Sequence, residues 1–312
     1  MLNFKFCGFY KLVAVNAKTG ISRVLADWFP NIITNIGLDY IAKNSNFLRY
    51  CYVGTSSATP NAGNTNMGSL VAYTDGGQYN TNLQQNVKGV NSGSPYYRYN
   101  TRTFRFNAGI AAGNLSEVGI GWAASPIGAI FSRALILDSY GNPTTITVLS
   151  DEYLDVTYEF RRYPNESDVT GTTVFTGNKG SSYNWIIRPG DITYLPTIVG
   201  DSQNFPVSIN KIYGASDTTR LPGVSESDIG IITSAIASGG SATASYNTYI
   251  NGNYYIDLIL TVPLTSGNFT TGIHKFGVNI CGCGWQIGMV NPIPKTATDV
   301  VTITLRISWS RR

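Results

Sequence analysis

Hydrophobic and polar positions alternate most regularly over residues 153–160. Leu154, Val156, Tyr158 and Phe160 share one face there, and Asp155, Thr157 and Glu159 the other. Period-two alternation predicts a strand with one buried and one wet or paired side. The same period returns near the C-terminus, where Val301, Ile303, Leu305, Ile307 and Trp309 alternate with Thr302, Thr304, Arg306 and Ser308. Residues 131–137 form an apolar run of strand length that stops at Asp138. The cluster Tyr140-Gly141-Asn142-Pro143 then predicts a turn, because Gly141 can adopt positive φ and Pro143 has no N–H for a ladder. Residues 144–149 are β-branched and apolar, as strands prefer.

Elsewhere the chain reads as further short strands. Residues 4–15 and 21–29 flank a turn at 16–20 and predict an N-terminal hairpin. One short helix is expected next. Asn31 after Pro30 is placed to cap it, Ile33, Ile36, Tyr40 and Ile41 form one stripe, and it ends near Asn44. Strands are expected at 47–53, 96–106 and 115–122, with a polar loop at 54–68 and a long surface loop at 75–95. Within 96–106, Arg102, Phe104 and Phe106 oppose Thr103 and Arg105. After Pro164 the chain becomes polar and rich in Gly and Thr, which places a domain boundary near Asn165. Strand-like pieces follow at 185–187, 192–199, 207–213 and 254–262. Residues 229–237 fit a strand or a short helix, and 276–290 is apolar and glycine-rich. Short strands punctuated by turns predict an all-β chain, mainly β with one short N-terminal helix. Two β-sandwich-like domains are expected, residues 1–164 and 165–312.

Composition sharpens the class. Hydrophobic residues make up 43% of the 312 and charged residues 13%, the latter about half the usual share. Thirty-three Gly and 20 Tyr point to a β-rich protein that owes solubility to hydroxyls and amides rather than to charge. The formal charge of +4 is scattered, with no basic run longer than Arg161-Arg162 or Arg311-Arg312. A nucleic-acid partner, which needs a concentrated basic stripe, is therefore not expected. The opening residues lack the pattern of a signal peptide, and no apolar run approaches the ~18 residues of a membrane span. Synthesis in the cytoplasm without membrane insertion is the expectation. Cys7, Cys51, Cys281 and Cys283 read as reduced, buried thiols.

Candidate chemistry is sparse. The single histidine, His274, sits in strand-like sequence and cannot supply a metal cluster. Cys281 and Cys283 lack two nearby co-ligands for zinc. Asp151, Glu152, Asp155 and Glu159 form the densest acidic group, yet they spread along a strand with Arg161 and Arg162 close behind. Ion pairing, solvated or between subunits, is expected of them rather than catalysis. No phosphate loop, dinucleotide fingerprint, nucleophile elbow or zinc-protease pattern occurs, so no catalytic, cofactor-binding or metal residue is assigned. The aromatic clusters Tyr96, Tyr97, Tyr99 and Tyr254, Tyr255, with Arg161 and Arg162, are the candidate interface, because tyrosine offers large contact area at low entropy cost.

One stretch carries a resemblance. SRALILDSYGNPTTITVLSDEYLDVTYEFRRYP (132–164), with GNLSEVGIGW (113–122) before it, is similar to a segment of tailed-bacteriophage virion proteins described as tail fibre, tail or neck-associated. NIITNIGLDYIA (31–42) and YCYVGTSSATP (50–60) fit the same pattern in the same order. The resemblance covers roughly the first half of the chain. It implies a non-enzymatic virion component, synthesised in the host cytoplasm. Its place would be the tail, as a fibre, fibre adaptor or neck (collar) appendage that works by oligomeric assembly and docking. Copies of itself and other tail or neck proteins are the implied partners. The alternative is a receptor-binding module that grips host-surface glycan or protein. A glycan depolymerase acting through Glu152 or Asp155 is a third class.

Overall fold

Alternation along the chain translates into strands: among the described residues 58% are in strands and 3% in helix. The computed structural model describes residues 1–43, 47–76, 88–91, 93–174, 182–189, 210–213, 242–280 and 283–312. The first half holds β1 (Leu2–Asn16), β2 (Ser22–Pro30), β3 (Ile32–Ile33), α1 (Asn35–Ile41), β4 (Tyr50–Gly54), β5 (Leu70–Asp75) and β6 (Lys88–Asn91). It continues with β7 (Tyr97–Phe106), β8 (Gly113–Leu115), β9 (Glu117–Gly121), β10 (Ile130–Leu135), β11 (Ile146–Val148) and β12 (Glu152–Pro164). The second half holds β13 (Val169–Val174), β14 (Ser182–Pro189), β15 (Asn210–Tyr213) and β16 (Thr243–Tyr246). β17 (Tyr255–Val262), β18 (Ile273–Ile280), β19 (Cys283–Ile293) and β20 (Val301–Arg311) complete it. Among the described residues, no helix is long and apolar enough to cross a membrane.

These strands form one long sheet backed by two smaller ones. The long sheet runs β16-β17-β20-β1-β12-β7-β6, with β2 also paired to β1. The other two have the orders β3-β10-β9-β4-β5 and β13-β14-β19-β18-β15, and β11 pairs with β8 as a separate ribbon. On its inner face the long sheet buries Phe4, Phe6, Tyr10 and Leu12 of β1, Val156 and Phe160 of β12, and Leu258, Leu260, Leu305 and Ile307 of β17 and β20. Phe160 meets Phe131 of β10 at 5.7 Å between ring centroids, while Phe4 meets Trp285 of β19 at 5.4 Å. The same sheet therefore rests on the N-terminal small sheet at one end and on the C-terminal one at the other. Each large apolar side chain so buried contributes about 1.5–3 kcal/mol.

The division expected at residue 165 does not separate two cores. β20 pairs in parallel with the start of β1, Leu2 opposite Ile307 and Phe4 opposite Trp309. Trp309 Nε1 donates to Leu38 O at 3.0 Å, and Tyr249 Oη donates to the Asp39 carboxylate at 2.6 Å. Residues 1–164 and 165–312 thus share a sheet and a hydrophobic core. The composition shift after Pro164 marks a connection between sheets, not a boundary between independent units.

Local expectations fare unevenly. The N-terminal hairpin is present, with Asn16 Oδ1 accepting from the backbone N–H of Lys18 and Thr19 across the turn. The turn before β11 is present too, with Asp138 accepting from Tyr140 and Asn142 N–H and Gly141 at φ 83°. The helix starts later than expected, and its cap is Thr34, which accepts from Gly37 N–H at 2.9 Å. Ile33 lies in β3, opposite Ser132 of β10, because strand pairing there claims the residues that the helical stripe counted. Asn31 instead donates its backbone N–H to Gly8 O. The strand expected at 115–122 is broken at Ser116, whose N–H goes to Gly54 O, so β8 and β9 serve different sheets. The 276–290 stretch falls in two antiparallel strands, β18 and β19. Within the expected loop at 75–95, residues 88–91 form β6 against β7. Asn44, the strand expected at 192–199, residues 207–209, the segment 229–237 and Cys281 lie outside the described residues.

The N-terminal small sheet is pinned by a buried ion pair. Arg133 of β10 is 3% exposed and Glu117 of β9 is 0% exposed, and Arg133 Nε donates to Glu117 Oε2 at 2.7 Å. The carboxylate also accepts from the backbone N–H of Ser69 at 2.6 Å and Gly68 at 3.1 Å. The guanidinium reaches on to Ala58 O and Asn64 Oδ1, both at 3.2 Å. Thr34 Oγ1 fastens the helix start to Ile130 O at 2.6 Å. Residues 31–42, 50–60, 113–122 and 132–164 thereby all supply or adjoin this assembly, and the polar loop between β4 and β5 is held from beneath.

Two measurements check this description. Breaking a buried pair leaves a charge without its partner, which costs about 3–5 kcal/mol. Glu117→Ala should lose that much in guanidinium unfolding, and Glu117→Leu combined with Arg133→Met should lose less than the single change. A single-variant loss below about 1 kcal/mol would show that the pair holds little. Residues 1–164 expressed alone lack β20 and should give no cooperative thermal transition by circular dichroism; a sharp transition would restore the two-domain division.

Candidate functional site

On the outer face of the long sheet, side chains come from the odd positions of β1, β7 and β12. The register sets them in rows: Tyr99 opposite Arg161 and Cys7, Thr101 opposite Glu159 and Phe9, Thr103 opposite Thr157 and Lys11, Arg105 opposite Asp155 and Val13. No sheet packs over this side among the described residues, and Tyr97, Tyr99, Phe9, Val13 and Arg161 remain half-buried by one another. It carries aromatic rings and arginines side by side.

Arginines organise it. The Arg161 guanidinium carbon lies 4.1 Å from the Phe9 ring centroid and 4.7 Å from that of Tyr97, while Nε donates to Glu159 Oε1 at 2.5 Å. Tyr97 packs on Tyr163 at 4.9 Å between centroids, and Arg312 stacks on Tyr163 at 3.8 Å. The Tyr99 ring occupies the space where a Cβ at Gly89 of β6 would sit. Arg105 holds Asp155 in a two-pronged pair at 2.7 and 2.6 Å and stacks on Tyr153 at 4.8 Å. On β17 and β20 the motif recurs: Arg306 grips Asp257 at 2.8 and 2.9 Å and stacks on Tyr255 at 3.9 Å. A depression of about 430 Å³, lined by Lys5, Pro95, Tyr163, Glu166 and Arg312 among others, opens beside the Tyr97 end.

The candidate interface residues therefore separate. Tyr97, Tyr99 and Arg161 come together, and Tyr255 lies on the same face about four strand spacings away, roughly 19 Å. Tyr96 and Tyr254 pack instead against the core, Tyr254 at a φ of 51° with its carbonyl accepting from Trp309 N–H. Arg162 is not part of the surface. It is 2% exposed, because the residue after Arg161 on a strand must point to the other face, where Nη2 donates to Asn100 Oδ1. Tyr163, Phe9 and Arg306 belong to the face but were not singled out from sequence. Their signal was available: β1 carries apolar residues at both even and odd positions, which a strand wet on one side does not require.

The acidic group is matched within the chain. Asp151 accepts from Asn16 Nδ2, Glu152 pairs with Arg23 at 2.8 and 2.7 Å, and Asp155 and Glu159 pair as above. Asp155 and Glu159 are four residues apart on one strand, roughly 13 Å, whereas glycoside hydrolysis sets its two carboxyl groups about 5–10 Å apart. Among the described residues no group of three or more His, Cys, Asp or Glu could hold a metal ion. Cys51 and Cys283 are buried; Cys7 is half-buried beneath Tyr163, and burial pushes its thiol up. His274 places Nε2 3.1 Å from Thr271 O.

A pH dependence follows from the pairs. Hydrogen bonding to Arg23 holds Glu152 below its ordinary 4.5, and hydrogen bonding to Arg306 holds Asp257 below its ordinary 3.8. An unfolded chain binds these protons first, so the pairs stabilise the fold above the ordinary carboxylate range and cease to do so as pH falls through the lowered values. The urea midpoint should be level from pH 7 to about pH 5 and then drop below about pH 4. Arg23→Gln should flatten that drop, and an unchanged acid slope in the variant would remove Glu152 from the account. Comparison of the chain with models of known families, with curated proteins and with solved structures finds no match.

Proposed function

We propose that the chain is a non-enzymatic structural component of a tailed-phage virion, associated with the tail as a fibre, fibre adaptor or neck (collar) appendage. It works by assembling with copies of itself and docking on neighbouring virion proteins. The observation that carries this reading is the outer face of the long sheet. Tyr97, Tyr99, Phe9 and Tyr163 offer aromatic area on a rigid backing, and the arginines among them are stacked or paired already. Aromatic residues and arginine are the types enriched where proteins meet, and carboxylates neutralised in place add little repulsion between two copies. A second copy is the occupant that this balance favours, since a chain of formal charge +4 can meet itself only where its charge is locally matched.

The virion assignment draws on the resemblance of residues 31–42, 50–60, 113–122 and 132–164 to tail and neck proteins. Those segments share one physical task, which is to complete the Arg133–Glu117 assembly and the pair of sheets around it. An arrangement that spends its buried charge on rigidity suits a part that must keep its shape among neighbours.

Light scattering on purified protein tests the assembly. At tens of micromolar the chain should exceed its monomer mass of 33.8 kDa, and Tyr97→Asp with Tyr99→Asp should return it to monomer with an unchanged far-ultraviolet spectrum. A monomer that also fails to enter phage particles during lytic growth would defeat the proposal.

A further inference from the structure

A second site lies on the opposite small sheet, at an irregularity in the pairing of β18 with β19. Ile273 pairs with Ile293 and Lys275 with Gly288, so β18 advances from 273 to 275 while β19 advances from 288 to 293. The surplus chain bows away and leaves a groove of about 580 Å³ between residues 268–272 and 292–296. Gly272 lets the walls approach: its φ is 80°, and a Cβ there would come 2.8 Å from Ile293 O.

At the base of the groove sits Lys295, only 4% exposed. Its ammonium donates to Asn268 Oδ1 at 2.8 Å and to Thr296 O at 3.3 Å. Asn268 is held for that task, because its own Nδ2 donates to Leu264 O at 2.7 Å. Neither acceptor of the ammonium is charged, and no carboxylate lies within ion-pair distance of it among the described residues. Asp299, whose charge acts on the ammonium without forming an ion pair, caps its own turn, accepting from Thr296 N–H at 2.9 Å and Thr296 Oγ1 at 2.6 Å. An ammonium has three protons to donate, and a buried one is stable chiefly when an anion answers it. Burial lowers the Lys295 pKa, and the charge of Asp299 offsets that only in part. On the outer face of the long sheet, by contrast, Arg105, Arg161 and Arg306 are each held by a carboxylate.

The walls describe the rest of the ligand. Thr270 and Thr271 are exposed, with hydroxyls that no hydrogen bond in the chain takes up among the described residues. Pro292, Pro294 and half-buried Phe269 supply ring surfaces. One cation, several hydroxyl partners and flat apolar rings match a ring that carries a single carboxylate and many hydroxyls. We propose that this groove binds an acidic saccharide of the uronic acid class, its carboxylate meeting the Lys295 ammonium and its hydroxyls meeting Thr270 and Thr271. A doubly charged phosphate would find one cation where it needs more, and an acidic peptide would leave the hydroxyl wall unused.

Calorimetric titration of the full chain with trigalacturonate is the test. Wild type should bind it, and the methyl-esterified trisaccharide and the Lys295→Met variant should each bind about tenfold more weakly or worse, the worth of one hydrogen bond to a charged group. Lys295→Met should melt at the wild-type temperature or above, since removing an unanswered buried charge relieves the fold. The esterified sugar tests the same point on unaltered protein, so the inference stays open to refutation even if the variant folds poorly. No binding by wild type, equal binding of the ester, or undiminished binding by Lys295→Met overturns it. Stronger binding of tetraglutamate than of the sugar would assign the groove to an acidic peptide and overturn the saccharide.

Discussion

The strand β1 has two edges to satisfy, and the way it does so dictates the architecture. One edge is taken by β12 over residues 4–16, from Phe4 opposite Pro164 to Asn16 opposite Glu152. The other edge is divided: residues 2–6 pair in parallel with β20, and residues 9–15 pair antiparallel with β2. A fifteen-residue strand with apolar side chains on its inner face cannot leave part of an edge bare without orphaning backbone groups beside a dry core. The last strand of the chain supplies what the first one lacks. Both β1 and β20 must therefore be in place before the central sheet is complete, an arrangement dominated by non-local pairing and hence slow to form.

Around this seam, edges and charges are managed differently in different places. β2 leaves the sheet with two register shifts against β1, ends in Pro30, and carries Asp27 paired with Lys11, all of which discourage a further strand from adding. On the outer face, each strand-borne acid of β12 and β17 has an arginine from the same or a neighbouring strand, and those arginines lie over aromatic rings. Such semi-exposed pairs add little stability individually. Their larger effect is to fix long side chains in one geometry, so that the face presents a defined relief. Arg133 and Glu117, fully buried, do the same for the loop between β4 and β5 from inside. Lys295 is held by an amide and a carbonyl oxygen, as buried Arg102 and Arg162 are held by neutral oxygens, but it lies at the base of a groove.

Much of the strand content was legible because the signal is local. The alternation over 154–160 and 301–309 became β12 and β20, and turn residues at 16–20 and 138–143 became turns held by Asn16 and Asp138. The errors have physical causes. Ile33 fits a helical stripe with Ile36 and Tyr40, yet two residues of pairing with β10 outweigh a marginal helix of seven residues. Residues 115–122 read as one strand, but Ser116 turns the backbone from one sheet to another. Arg162 was readable: extending the inward series 154, 156, 158, 160 by one step places it inside, against the habit of assigning arginine to the surface.

The sequence alone determined which residues could face together along each strand, since side chains on a pleated backbone point to opposite sides in turn whatever lies beyond them. It determined as well that the chain would be β-rich and that its few charges would be spread thinly. Only the tertiary structure decided which edges meet, that β20 closes onto β1, that Arg161 lies between Phe9 and Tyr97, and that Lys295 sits beneath a groove with an amide and a carbonyl oxygen as its acceptors. The entropy of closing a loop grows only slowly with its length, so pairing across nearly the whole chain competes on even terms with pairing between neighbours, and no local pattern records which one wins.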